Sequence, residues 1–124
     1  MDNFTISPVD LGKVQKMIGT SLDLYKSLVD IFTEESIGQI EAIEESVLNL
    51  DPVSLDNSAH SFKSSLATIG AYTASNLVGQ LEIMGKAGSV DGSEEILKML
   101  KLEQKQVIEY FESKQWIIDW KAGS

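Results

Sequence analysis

Apolar residues recur every three or four positions along nearly the whole chain, and the helix breakers fall between these runs, a pattern that predicts consecutive amphipathic helices. A short first helix is expected from about Pro8 to Ile18, capped by Ser7 and ended by Gly19. A second runs from near Ser21 to about Leu48, with Tyr25, Val29, Phe32, Ile40, Ile43, Val47 and Leu50 on its inner stripe. Its outer face carries Glu34, Glu35, Glu41, Glu44 and Glu45, an ordinary solvated surface. Asp51-Pro52 reads as an N-cap with proline in the first helical position, opening a third helix that Gly70 ends or bends. Leu55, Ala59, Phe62, Leu66 and Ile69 form its inner stripe. A fourth helix is expected from about Thr73 to Lys86, with Leu77, Leu81 and Met84 inward, closing at Gly85-Lys86-Ala87-Gly88. Ser93-Glu94-Glu95 is read as the cap of a fifth, which continues through Ile96, Leu100, Val107 and Phe111 towards Trp120. Strand signals are absent. The expected fold is all-α, an antiparallel up-down four-helix bundle with the short N-terminal helix laid across one end.

Composition narrows the picture without changing it. With 124 residues, 43% of them hydrophobic, one core is affordable and two are not, so a single domain over residues 1–124 is expected, with a bundle core at about 21–115. The chain has no cysteine, which excludes disulfides and thiolate metal sites. Met1-Asp2-Asn3-Phe4-Thr5 lacks the basic flank and apolar run of a secretory leader, and no segment approaches the roughly 20 apolar residues that span a bilayer, so a cytoplasmic protein is expected. A net charge of −9 with no basic patch argues against nucleic-acid binding.

Candidate chemistry comes down to one side chain. There is no Gly-x-Ser-x-Gly elbow for a hydrolase, no Gly-x-Gly-x-x-Gly or P-loop for a nucleotide, and one histidine cannot supply the two Glu-x-x-His pairs of a di-iron bundle. His60, the single histidine, falls opposite the Leu55–Ile69 stripe at about 100° per residue and is expected to face solvent. Lys63, Ser64 and Ala67 share its side of the helix, a cation and two small side chains. Neutral imidazole is a good nucleophile near pH 7 and can accept a phosphoryl group. The resulting dianion, in mid-helix and far from a helix N-terminus, needs a nearby cation, and Lys63 is the basic residue within two turns along the helix. Small neighbours would let a partner bring its own acid and metal up to the ring. The plain alternative is an ordinary exposed histidine and lysine on a helix.

The segment Ala59–Ala71 resembles the signature of histidine-containing phosphotransfer (HPt) domains, the carriers of multistep two-component phosphorelays. In that family the active histidine is followed at the third position by lysine, at the fourth usually by glycine, and at the tenth by glycine, then often alanine. Here these positions are His60, Lys63, Ser64, Gly70 and Ala71, with serine in place of the usual glycine. The similarity continues through Leu77, Leu81 and Glu82 to the Gly85–Gly88 turn. The Lys63-Ser64-Ser65 run, and more weakly Val29–Phe32, is similar to the LuxU-like quorum-sensing subgroup. The resemblance implies that His60 is the phosphoacceptor, through its outward ring nitrogen, that Lys63 neutralises the phosphoryl oxygens, and that Gly70 lets the third and fourth helices pack or turn closely. It also implies a phosphocarrier with no kinase activity of its own, no cofactor and no metal. The partners would be receiver domains of a hybrid sensor kinase and a response regulator, with no membrane contact and a monomeric state.

Two other readings stay open at this level. The chain could be an HPt-type domain of a hybrid or chemotaxis-type kinase, which the intact gene would settle. It could also be a non-catalytic helical adaptor, if Trp116 and Trp120 are exposed anchors and not packing residues at the end of the last helix.

Overall fold

The computed structural model describes residues 7–123, so the leader reading made on Met1–Thr5 lies outside the described residues. Within that span the chain forms six helices: α1 (Leu11–Ile18), α2 (Leu22–Leu48), α3 (Pro52–Ile69), α4 (Tyr72–Lys86), α5 (Ser93–Glu112) and α6 (Gln115–Lys121). Short turns join α2 through α5, so neighbours run antiparallel, and packing proceeds from α2 to α3 to α4 to α5 and back to α2. All five residues of the predicted α3 stripe are buried, as are Tyr25, Val29, Phe32, Ile40, Ile43 and Val47 of α2.

Local chemistry sets most of the boundaries. Ser21 caps α2 by accepting from the Leu24 N–H at 3.2 Å, and Asp51 caps α3 by accepting from the Ser54 N–H at 3.1 Å and the Ser54 hydroxyl at 2.8 Å. That backbone bond, with the hydroxyl bond second, holds the Asp51 carboxyl below the usual carboxylate range. Gly70 ends α3 in the left-handed conformation at φ +90°.

Five expectations are corrected. Helix α1 starts at Leu11, not Pro8, because the Asp10 carboxylate rather than Ser7 accepts from the Lys13 N–H. Leu50 is exposed: α2 has already ended, and the residue sits in the turn at φ +53°, where helical period no longer assigns a face. The N-cap of α5 is Gly92; Ser93 lies inside the helix and its hydroxyl donates to the Val90 carbonyl at 2.6 Å. The last helix does not run unbroken to Trp120, since Lys114 adopts φ +65° and turns the chain into the separate α6. Nor do all glycines fall between helices, for Gly38, Gly79 and Gly85 are helical.

Helices α1 and α6 close one end of the bundle together. Trp120 stacks on Tyr25 with ring centroids 4.4 Å apart, while Trp116 meets Tyr25 and Phe111 edge-on at 5.6 and 5.9 Å. The Trp120 indole donates to the Thr20 carbonyl at 3.1 Å, and the Gln15 amide donates to the Trp120 carbonyl at 3.0 Å. The Tyr25 hydroxyl donates to the Ile69 carbonyl at 2.7 Å, and burial pushes its pKa well above the ordinary tyrosine value. Both tryptophans are buried, as packing and not interface residues.

Candidate functional site

The cap at Asp51 fixes where α3 begins, and the buried stripe fixes its rotation, which leaves His60 on the outer face with its side chain 67% exposed. Across the α3–α4 seam lies Glu82, whose side chain is only 6% exposed. One of its oxygens, Oε2, stands 2.6 Å from His60 Nδ1, and the other accepts from Lys63 Nζ at 2.5 Å. Lys86 Nζ approaches Oε2 to 3.9 Å and Asp56 Oδ1 to 3.1 Å. One feature of α4 lets it carry this carboxylate so close to α3: a side chain at Gly85 would meet backbone atoms of Pro52 and Asp56.

The hydrogen bond from Lys63 holds the Glu82 carboxyl below the usual carboxylate range, outweighing the opposing effect of burial, with His60 adding to the same direction. An ionised carboxylate can only accept, so the short contact assigns the ring proton of His60 to Nδ1. In the neutral ring Nε2 then keeps its lone pair. The seam has produced an exposed imidazole in one tautomer, backed by a buried anion, an arrangement suited to nucleophilic attack by Nε2.

Lys63 is thus on the expected face, but it is engaged with Glu82 and not free beside His60. The reason is the burial of Glu82, since an ionised carboxylate out of water requires a charged partner. Ser64 is exposed and its hydroxyl turns back to the His60 carbonyl at 3.4 Å, and Ala67 is half-buried one turn further on. Gly70 lies at the far end of α3. A Cβ there would stand 2.6 Å from Val14 Cγ2 and 3.1 Å from the Asp10 carbonyl, so close approach of the segment leading into α1 demands the glycine; at the α3–α4 seam that role belongs to Gly85. On α2, Leu24 and Ile31 are exposed, and Ile31 shares a surface groove with Ser65 and Thr68 of α3. Glu82 and Lys86 are the site residues that helix periodicity did not single out. The available signal was a glutamate in register with buried Val78 and Gly85, where a solvated carboxylate has no place.

A family model described as the Hpt domain matches residues 27–112. The chain belongs to the Hpt domain family. Its role is histidine phosphotransfer within a phosphorelay, with receiver domains as the class of partner. Helices α2 to α5 of this Hpt domain fall almost wholly inside the match, with His60, Lys63 and Glu82, whereas α1 and α6 lie outside it. No curated protein and no solved structure matches the chain. No helix among the described residues is long and apolar enough to cross a membrane.

Proposed function

We propose that His60 accepts a phosphoryl group on Nε2 from the phosphoaspartate of one receiver domain and passes it to the aspartate of another. The Nε2 lone pair forms the N–P bond as the P–O bond to the aspartate breaks, and the aspartate leaves as a carboxylate with that electron pair. His60 retains its Nδ1 proton, so the ring becomes cationic as the bond forms, and the Glu82 carboxylate at 2.6 Å meets that charge. Transfer onward runs the same steps in reverse. Lys63 turns from Glu82 to the phosphoryl oxygens, and Ser64 and Ala67 keep the approach open. The receiver supplies the metal ion and the acid, and docks over the α3 face with exposed Leu24 and Ile31 of α2 at its margin.

The observation that carries this reading is an exposed histidine side chain whose Nδ1 is held by a buried carboxylate. The reading includes a cytoplasmic, monomeric carrier without kinase activity, and the Lys63-Ser64-Ser65 run favours the LuxU-like subgroup. Incubation with a phosphorylated receiver should label the wild type and not His60→Gln; label on both would defeat it. Burial of Trp116 and Trp120 leaves the adaptor alternative without its anchors.

A further inference from the structure

Phosphorylation raises a charge problem that the resting site does not have. At rest the two carboxylates Glu82 and Asp56 are balanced by the two ammonium groups of Lys63 and Lys86. A phosphoryl group adds roughly −1.5 to −2 near pH 7, which the cationic ring offsets only in part. Lys63 is the cation on the His60 side of the seam, and once it turns to the phosphoryl oxygens it no longer reaches Glu82 Oε1. A carboxylate 6% exposed would then keep the imidazolium N–H at Oε2 but lose its ammonium at Oε1, beside a newly arrived phosphoryl group, and a buried anion stripped of part of its compensation is unfavourable.

A replacement stands one turn along α4. Lys86 is spaced i,i+4 from Glu82, its side chain is 60% exposed, and its Nζ lies 3.9 Å from Oε2. An ordinary charge-assisted hydrogen bond needs about 2.8 Å, so a movement of roughly 1 Å at the tip of a four-carbon stem completes the contact. Its present partner, Asp56, is 25% exposed and can be solvated when the lysine turns away.

We infer that Lys86 is a positioning residue for phosphotransfer, taking over Glu82 when Lys63 leaves it for the phosphoryl group. The inference rests on His60 being the phosphoacceptor. Lys86 acts through Glu82 and not on the phosphoryl group, so its contribution exists only in the phosphorylated protein and only while residue 82 carries a charge.

The test is the decay of phosphohistidine after labelling by a phosphorylated receiver and removal of that receiver, which takes docking out of the measurement. Lys86→Met should shorten the half-life by about three- to tenfold, and Lys86→Arg should restore most of it. Thermal unfolding of the unphosphorylated Lys86→Met protein should match wild type, since Lys63 still holds Glu82. In a Glu82→Gln background, Lys86→Met should have no further effect. Equal half-lives for wild type and Lys86→Met would overturn the inference, as would a Lys86 effect that survives Glu82→Gln, because the lysine would then act on the phosphoryl group itself. Failure of the wild type to label would instead remove the phosphoacceptor reading beneath it.

Discussion

Replacing glycine by alanine at two helical positions should move stability in opposite directions. In the middle of a helix the change is intrinsically favourable by about 0.8–1.0 kcal/mol. At Gly38 on α2 a Cβ meets nothing within 4 Å, so the gain should appear in full, raising Tm by roughly 4 °C in a domain of this size. At Gly85 the same Cβ would lie 2.6 Å from the Asp56 nitrogen, 2.7 Å from the Pro52 carbonyl oxygen and 2.9 Å from Asp56 Cα. All three are backbone atoms of α3, which cannot swing aside as a side-chain tip would. Overpacking costs about 1–3 kcal/mol, here towards the upper end, so a net loss of about 1–2 kcal/mol remains after the propensity gain. Tm should fall by roughly 4–8 °C. Because Gly85 follows Glu82 by less than one turn, prising α4 from α3 there should also slow phosphotransfer to His60. Differential scanning calorimetry of the two variants, with receiver-dependent labelling, checks both effects. A Gly85→Ala protein that melts at or above wild type would refute the close α3–α4 contact on which the site geometry rests.

Lys63→Ala should leave the helical circular dichroism intact, the residue being 38% exposed, while slowing transfer or shortening phosphohistidine lifetime about tenfold; unchanged kinetics would remove Lys63 from the mechanism. Ala67→Trp should block receiver docking sterically, and transfer that persists would place the docking face elsewhere. Glu82 and Asp51 are both held low, so in acid each binds fewer protons in the folded than in the unfolded chain: the stability they contribute is present above about pH 4 and is lost as pH falls through their lowered folded values. Urea unfolding between pH 3 and 7 should therefore show a shallower acid limb for Glu82→Gln than for wild type, and identical limbs would contradict the assignment. Trp120→Ala removes the ring stacked on Tyr25 and should cost about 3–5 kcal/mol in chemical denaturation, with the value near zero if α6 is dispensable.

The helices and the exposed histidine were legible because both follow from apolar spacing, a local property. Leu55, Ala59, Phe62, Leu66 and Ile69 define one face of α3, and His60 follows as its opposite. The starts near Ser21 and at Asp51 and the glycine end at Gly70 were legible, while the α1 cap fell on Asp10 and not Ser7, and the left-handed turns at Gly92 and Lys114 were missed. What periodicity could not supply was the partner of the histidine. The His60–Glu82 contact joins residues 22 apart on different helices, brought together where Gly85 lets α4 lie close against α3. The same limit explains Lys63. Its face on α3 was evident from spacing, but the carboxylate that holds it belongs to α4.

The closure of α1 and α6 has a practical consequence for watching this protein work. The two tryptophans of the chain both sit in that closure, against Tyr25 and Phe111, while the phosphotransfer seam contains neither. Intrinsic fluorescence therefore reports one event, the release of the C-terminal helix from the bundle end, and should be silent to phosphorylation at His60. An emission change on receiver binding would mean that the signal has travelled the second half of α3, from the imidazole to the aromatic latch.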